Sequence, residues 1–172
     1  MYIGPYCFTG FSTLETISTS APVHAPYAFA NCGLRGSMAE PDMNNSIGLT
    51  VKLKEGVTSI NNYAFAGSTL VKVEIPSTVN SISSYAFSSV NIKELDFSAT
   101  QSLTTIGDSA FSYLTGVPVI KIPNSVATLG ASTFRYSSLS VIDFGETLKI
   151  LPQDCCSQCS SLTADHRQKT AW

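Results

Sequence analysis

The chain has 172 residues, of which 44% are hydrophobic and 13% are charged, and its formal net charge is −2. Nucleic-acid binding usually needs a clustered basic face, so this balance argues against a nucleic-acid partner. The apolar runs span only a few residues, far short of the roughly 20 that cross a bilayer, so we expect no membrane insertion. The N-terminal MYIGPYCFTGF lacks a basic segment followed by an apolar one, and therefore does not resemble a signal peptide.

One pattern recurs along the chain and is clearest in residues 70–87, LVKVEIPSTVNSISSYAF. Apolar residues stand at fixed spacing, and the unit closes on a small residue followed by Phe87. Most of the closing residues are 21 to 24 residues apart; they are Phe8, Phe29, Phe65, Phe87, Phe111, Phe134 and Cys156. A fixed period in this range is typical of a solenoid, in which stacked units bury a shared core.

The N-terminal third departs from this period. Residues 1–34 are predicted to form irregular repeats closing at Phe8 and Phe29, and we expect the chain to begin inside a repeat. The step from Phe29 to Phe65 is 36 residues, longer than the other steps. The excess falls in residues 35–47, RGSMAEPDMNNSI. We predict that these residues form an inserted loop, because they are polar and include Gly, Pro and Asn. Asn44 begins a glycosylation sequon, which is relevant only if the protein is secreted.

Residues 48–162 hold the regular repeats, and residues 163–172 are a tail that does not match the pattern. Residues 72–75 alternate polar and β-branched side chains, which indicates a strand, and Pro76 then ends it. A unit of this length supplies the crossover that parallel strands need. The return stretch before Phe87 suits a tight turn or one short helical turn. We therefore predict an α/β repeat solenoid, with a parallel β-sheet on one face and loops and short helical turns on the other.

The units VKVEIPSTVNSISSYAF and VIKIPNSVATLGASTF, together with CSSLT at 159–163, resemble the BspA-like leucine-rich repeat family of bacteria and protozoa. The resemblance implies a leucine-rich-repeat arc whose repeats bind proteins. It also implies a secreted or cell-surface location and a role in adhesion or in contact with host or matrix proteins. The chain departs from the leucine-rich consensus in having Pro76 and Pro123 near the place of the Asn that follows the strand, and in closing its last unit on Cys156.

The outward positions of successive strands predict the binding face. Stacked in register, one column reads Lys52, Glu74, Asp96, Lys121 and Asp143, and a parallel column reads Thr50, Lys72, Glu94, Val119 and Val141. Alternating charges in the first column are also what a solvated sheet uses for cross-strand pairing. The two valines are apolar at solvent-facing positions, and they favour docking of a protein ligand at this face, the usual binding surface of a solenoid.

Cysteines and acids offer two further kinds of site. Cys155, Cys156 and Cys159 form a C-C-x-x-C cluster near His166, but all five cysteines also fit positions of the repeat, so we predict neither a metal nor another cofactor. Five cysteines leave at least one without a disulfide partner. The acids of the strand face could form a hydrolytic carboxylate pair, yet outward charges are ordinary there, and neither histidine, His24 or His166, lies in a regular unit. We predict that the protein is not an enzyme.

Two alternatives to surface adhesion stay open from the sequence. The chain could be an intracellular scaffold, or a spacer segment of a longer array whose repeats only set distance. Terminal repeats of solenoids normally carry polar caps, and none is evident at Met1. We therefore expect self-association through uncapped ends, because open ends expose strand edges.

Overall fold

The computed structural model describes residues 7–8, 16–19, 28, 35–37, 40–42 and 49–165. The strands of this part of the chain are β1 (Thr16–Thr19), β2 (Arg35–Ser37), β3 (Glu40–Asp42), β4 (Leu49–Leu53), β5 (Ser59–Ile60), β6 (Thr69–Glu74), β7 (Ser81–Ile82), β8 (Asn91–Asp96), β9 (Thr105–Ile106), β10 (Val119–Lys121), β11 (Thr128–Leu129), β12 (Val141–Asp143) and β13 (Ala164–Asp165). The units that begin at β4, β6, β8 and β10 each contribute a strand of three to six residues, a two-residue strand and a closing turn, while the unit of β12 lacks the two-residue strand. These elements stack into three walls around one core.

The first wall is a parallel sheet, as predicted. It contains β1, β4, β6 and β8 in that order, followed by a separate sheet of β10, β12 and β13. Parallel register follows the repeat, since Val73 of β6 pairs with Val51 on one side and Leu95 on the other. The Ala164–Asp165 strand pairs with β12, so residues at the start of the predicted tail extend this wall.

A second parallel sheet was not predicted. Its order is β11, β9, β7 and β5, with Ile60, Ile82, Ile106 and Leu129 in register along it. These apolar residues point into the core, while the serine or threonine before each of them points outward. The face that the sequence assigned to loops and helical turns is therefore partly a β-sheet.

The closing segments form the third wall. They are six-residue turns at residues 62–67, 84–89, 108–113, 131–136 and 153–158. Every second N–H in a turn donates to a carbonyl of the next turn, as Phe87 N does to Ala110 O at 2.8 Å and Phe111 N does to Thr133 O at 2.9 Å. Phe8 N donates to Ala28 O at 2.8 Å in the same way, so the wall reaches the N-terminal units.

No helix occurs among the described residues, and the predicted short helical turns are therefore not confirmed. The reason is the backbone of the closing turns. In each turn, the residue two places before the closing residue and the residue two places after it both have positive φ. Non-glycine residues at these positions have φ values of 52° to 61°; they are Tyr63, Tyr85, Ser89, Ser109, Tyr113, Ser132, Tyr136, Asp154 and Gln158. A right-handed helix needs negative φ at every residue, so this alternation excludes it. Accordingly, no helix long and apolar enough to cross a membrane occurs in the part of the chain that the structure describes.

Tyrosines at these left-handed positions stack in pairs on the outside of the turn wall. Tyr63 and Tyr85 lie 4.8 Å apart with an interplanar angle of 4°, and Tyr113 and Tyr136 lie 4.8 Å apart at 14°. The guanidinium of Arg135 lies 4.9 Å from the centre of the Tyr136 ring. Stacking and cation–π attraction offset part of the cost of a left-handed conformation, about 1–2 kcal/mol for a residue with a Cβ.

The core is organised around the closing phenylalanines. Phe65, Phe87, Phe111 and Phe134 are fully buried, and successive rings are stacked at centroid distances of 5.0, 5.3 and 5.6 Å. Phe97 packs edge-on against Phe111, at 5.9 Å and 81°. In the last unit Cys155 is buried and Cys156 is partly buried against the core, at the place where earlier units have Ala and Phe. Each ring thus covers its neighbour, as the sequence pattern predicts.

Glycines 107 and 130 let adjacent units approach closely. A Cβ on Gly107 would lie 2.7 Å from the backbone nitrogen of Ser84, and one on Gly130 would collide with the backbone of Gly107 and Asp108. Neither glycine has positive φ. These positions need glycine because of space rather than because of a left-handed bend.

The predicted insertion at residues 35–47 contains β2 and β3, which pair with each other antiparallel. β1 pairs directly with β4, so the chain between them leaves the first wall and returns to it. Ile17 of β1 faces Val51 and is buried, which places the irregular N-terminal unit in the same sheet as the regular ones.

Candidate functional site

The predicted outward columns exist on the first wall, in two blocks. In the first sheet, Thr50, Lys72 and Glu94 are in register, as are Lys52, Glu74 and Asp96. In the second block, Val119 pairs with Val141 and Lys121 pairs with Asp143. The structure therefore brings together the neighbours that the repeat predicted within each block. We refer to these ten residues as the strand face.

Three cross-strand ion pairs occupy the strand face. Lys72 Nζ lies 2.6 Å from Glu94 Oε1, Lys52 Nζ lies 3.8 Å from Glu74 Oε1, and Lys121 Nζ lies 3.9 Å from Asp143 Oδ2. The hydrogen bond to Glu94 raises the pKa of Lys72 above its ordinary value. All six side chains are substantially exposed, so water and salt screen each pair and each contributes little to stability.

Asp96 differs from the other acids of the strand face. Among the described residues, no basic side chain lies within ion-pair distance of its carboxylate. Instead Asp96 Oδ1 accepts a bond from the backbone N–H of Ser98 at 2.8 Å, and Oδ2 accepts one from the Ser98 hydroxyl at 2.8 Å. These two bonds lower the pKa of Asp96, so the carboxylate is ionised at neutral pH.

The first wall is interrupted between β8 and β10, which the sequence did not predict. Thr115 makes a single parallel bridge with Asn91, and Ile92 N donates to Thr115 O at 3.0 Å. After this bridge the two strands diverge, because Thr115 follows Asn91 by 24 residues whereas Val119 follows Glu94 by 25. One extra residue has entered the segment before β10.

Two residues fix the interruption. Gly116 has φ of 94°, and a Cβ there would collide with the carbonyl oxygen of Ile92. Pro118 has no N–H and cannot donate to a ladder, although its own carbonyl accepts a bond from Ser140 N at 2.7 Å. The expected steps from Glu94 to Val119 and from Asp96 to Lys121 are therefore not hydrogen-bonded strand pairs but cross this interruption.

A cavity of about 430 Å³ opens at the interruption, beside the ends of β8 and β10. Its lining combines apolar groups with polar and charged groups; these residues are Leu95, Asp96, Phe97, Ser98, Thr100, Gln101, Lys121, Pro123, Asn124 and Ser125. Its volume falls within the roughly 300–1,000 Å³ of small-ligand pockets. Asp96 is the one carboxylate in the lining, so this cavity does not provide the second acid that carboxylate-pair hydrolysis needs.

Val119 and Val141 form the apolar end of the strand face. Val119 is 53% exposed, and Val141 beside it is partly buried. The main chain places them there because each valine occupies an outward position of β10 or β12, directly before a buried isoleucine, Ile120 or Ile142. This end of the strand face adjoins the cavity through Lys121, the outward residue at the end of β10.

The cysteines do not assemble a metal site in the part of the chain that the structure describes. No group of three or more His, Cys, Asp or Glu side chains is placed to hold an ion there. Cys159 is a free thiol whose Sγ donates to Phe134 O at 3.0 Å and lies 3.3 Å from Ser137 Oγ. His24, Cys32, Asn44 and His166 lie outside the described residues.

Sequence reasoning missed the cavity and the tyrosine pairs. The residues that line the cavity with Asp96 come from the ends of β8 and β10 and from the segments that follow them. In the sequence, only the longer step of the repeat at this point indicates the cavity. The tyrosines did leave a signal, because they stand two before the closing residue in two successive units and two after it in the next two.

Comparison with known proteins identifies the family. The family model described as a BspA type leucine rich repeat region matches residues 1–49 and 43–163, in six copies. No protein of curated function gives a significant sequence match.

Three solved structures of bacterial proteins match this chain. The pneumococcal vaccine antigen PcpA is 18% identical with a TM-score of 0.52, and the match covers 84% of this chain and 44% of that one. A leucine-rich repeat protein of Eubacterium ventriosum is 21% identical with a TM-score of 0.49, covering 94% of this chain and 50% of that one. A leucine rich cell surface protein of Faecalibacterium prausnitzii is 17% identical with a TM-score of 0.34, covering 93% and 63%. This chain thus spans less than half the length of PcpA.

The family model covers almost the whole chain. The chain belongs to the BspA-type leucine-rich repeat family.

Proposed function

We propose that the chain is a non-enzymatic protein-binding module, exposed at the cell surface or secreted, whose strand face docks an extracellular-matrix or host-surface protein. The proposal concerns this segment of repeats alone. The fold itself hosts many functions, so the proposal depends on the strand face rather than on the family.

The observation that carries the proposal is the apolar end of the strand face. Val119 is 53% exposed, whereas the matching outward positions of β4, β6 and β8 hold charged or hydroxyl side chains. A single exposed apolar residue is normal on a protein surface. Here the exposed valine lies beside Val141 on the next strand and adjoins a cavity, and such a combination suits the dry centre of an interface.

The charged part of the strand face complements this apolar end. Lysines and acids lie side by side on β4, β6 and β8, and a partner with the complementary arrangement of charges would be oriented by them. Exposed charges of this kind affect the association rate and specificity more than the final affinity. The surface location is part of the proposal: the family resemblance supports it, and PcpA is named as a vaccine antigen.

Binding of the purified chain to a panel of matrix and host-surface proteins tests the proposal, with surface plasmon resonance as the measurement. Val119→Ser should weaken binding to the partner at least about five-fold, since an anchor residue at an interface contributes more than 1 kcal/mol. Glu94→Ala should mainly slow association. Ile150→Ser is the matched control, because Ile150 is an aliphatic residue that is 82% exposed but lies outside the strand face.

An unchanged affinity of Val119→Ser and Glu94→Ala for every partner found would refute docking at the strand face. A second function, that of an intracellular scaffold or a spacer, is favoured by one observation: three of the charge pairs on the strand face are satisfied internally. Absence of any partner from the panel would support that function instead.

A further inference from the structure

The charges of the strand face do not balance. Three lysines face four acids there, and Asp96 is the acid that belongs to none of the three ion pairs. Lys72 attracts the Asp96 carboxylate from the neighbouring strand, but it forms its close ion pair with Glu94. The neighbouring acids, Glu74 on β6 and Glu94 two residues earlier on β8, are each paired with a lysine, so the excess negative charge of the strand face is centred on Asp96. A cation arriving from outside would therefore meet a net attraction at Asp96.

The Asp96 carboxylate is held ready to accept such a cation. Its two bonds from Ser98, both 2.8 Å long, fix the orientation of the group, and each oxygen retains a lone pair because each accepts only one of these bonds. A fixed acceptor loses less conformational entropy on binding than a mobile side chain does. The same two bonds lower the pKa of Asp96 and so keep it charged.

The cavity beside Asp96 offers apolar walls to whatever carries the cation. Leu95, Phe97 and Pro123 supply apolar surface, and Gln101 and Asn124 place amide groups in the lining. Asn124 Oδ1 already accepts the N–H of Glu146 at 3.0 Å, so the oxygen of this amide is engaged while its NH₂ group is oriented by the same contact. Aliphatic stems with a charged end pack along apolar surface in this manner.

We infer that this cavity is a subsite for a cationic side chain of the docked protein, an arginine, with its guanidinium on Asp96 and its aliphatic stem against Leu95, Phe97 and Pro123. The inference rests on the proposed function, because the arginine belongs to the protein that docks on the strand face. Arginine fits better than lysine, since a planar guanidinium can donate to both carboxylate oxygens at once.

Lys121 is the one charge in the cavity lining that opposes a cation. Its ammonium lies 3.9 Å from Asp143 on the next strand, and its side chain is 80% exposed. The pairing draws the positive charge towards β12 and away from Asp96. Replacement of Lys121 by a neutral residue should therefore strengthen arginine binding. A purely structural role for the cavity does not predict such an increase in affinity.

Acetyl-arginine-N-methylamide is a suitable probe, titrated into the isotope-labelled full chain and followed by amide chemical shifts. The uncharged probe with citrulline in place of arginine is its control. We expect saturable shifts at Ser98, Gln101 and Asn124 with the arginine probe at millimolar concentration, and about ten-fold weaker binding of the citrulline probe, because the charged hydrogen bonds are lost. Added salt should weaken binding of the arginine probe.

Variants locate the interaction. Asp96→Asn keeps an oxygen that can accept the Ser98 N–H, and it should weaken binding of the arginine probe at least about five-fold. Asp108→Asn is the matched control, since Asp108 is also an exposed aspartate whose Oδ1 accepts a backbone N–H at 2.8 Å, but in the turn wall. Asp108→Asn should leave the affinity for the probe within about two-fold, and Lys121→Gln should raise it by about two- to five-fold.

Equal binding of the arginine and citrulline probes, or no effect of Asp96→Asn, would overturn the subsite. The two proposals fail separately. A partner protein that depends on Val119 but is indifferent to Asp96→Asn would refute the subsite and leave docking at the strand face intact. If Val119→Ser binds the partner protein as tightly as the unaltered chain does, docking at the strand face is refuted, whether or not the arginine probe binds.

Discussion

The stack of closing phenylalanines makes Phe87 the most informative position for a stability experiment. Its ring is fully buried between Phe65 at 5.0 Å and Phe111 at 5.3 Å, with interplanar angles of 17° and 13°. Truncation of a buried Phe to Ala costs about 3–5 kcal/mol, and the cost is highest where the site cannot collapse. Neighbouring backbones are tied to each other by Phe65 N to Ala86 O and Phe87 N to Ala110 O, so they have little freedom to close the gap.

We therefore expect Phe87→Ala to lower the free energy of unfolding by about 4–5 kcal/mol, at the upper end of the range. Phe87→Leu retains much of the apolar volume and loses the two ring stacks. Each stack is worth about 0.5–1.5 kcal/mol beyond burial, so the leucine variant should lose about 1–3 kcal/mol. Tyr85→Ala is the matched control in the same turn: Tyr85 is 37% exposed and stacks on Tyr63, and its loss should cost no more than about 1.5 kcal/mol.

Urea unfolding followed by far-UV circular dichroism gives these differences, and amide hydrogen exchange gives their location. Because each unit of a solenoid contacts only its neighbours, exchange should accelerate first in the turns at 62–67, 84–89 and 108–113. A loss of unfolding free energy below about 2 kcal/mol for Phe87→Ala would contradict the role assigned to the stack. Equal losses for Phe87→Ala and for the control Tyr85→Ala would contradict it as well. Uniform acceleration along the whole chain would contradict the independence of distant units.

Two further predictions concern the backbone and the pH response. Gly130→Ala should destabilise the chain by more than about 2 kcal/mol, because its Cβ would collide with the backbone of Asp108. Urea unfolding measures this difference, and a loss below about 0.5 kcal/mol would show that the turns can separate freely. The pKa of Asp96 is lowered in the folded chain from an ordinary value of 3.8, mainly by the backbone bond from Ser98, so its contribution to stability is present above pH 4 and is lost as the pH falls through the folded value. Asp96→Asn should accordingly flatten the acid limb of the stability curve below the ordinary value of 3.8, and an unaltered limb would contradict the assignment.

The periodic part of the fold follows from the sequence because its physical cause is local. Residues such as Val73 and Ile82 recur at one spacing, and burial of one such residue beside its counterparts requires parallel stacking. The same spacing placed Lys72 beside Glu94 and Lys52 beside Glu74. Register along a solenoid is strongly specified by the buried face, so outward neighbours are determined once the inward ones are known.

The closing turns could not be predicted because their backbone carries no residue requirement that can be read from the sequence. Left-handed positions usually favour glycine or asparagine, yet here Tyr85, Ser109 and Asp154 occupy them. Hydrogen bonds between turns impose the conformation, and such bonds depend on the stacked neighbours rather than on the turn itself.

The interruption before β10 escaped prediction for a different reason. The repeat shows that one unit is longer than its neighbours, but it does not show where the extra residue goes. Alignment on the apolar positions moved Val119 into the outward column beside Glu94, and only the backbone around Gly116 and Pro118 reveals that the ladder ends there. The cavity is a consequence of that local failure of the period.

In the closing turns, the outward left-handed positions vary in residue type, whereas the buried positions of the same turns vary little. The left-handed residues face outward in every turn, and their identities vary widely along the array; two before the closing residue they are Tyr63, Tyr85, Ser109, Ser132 and Asp154, and two after it they are Gly67, Ser89, Tyr113, Tyr136 and Gln158. Interior positions of the same turns keep to a small residue and a phenylalanine in all but the last unit. Substitutions accepted at the outward positions therefore leave the stacking intact, and a lineage of such proteins can diversify its outer surface through these positions while its scaffold stays constant.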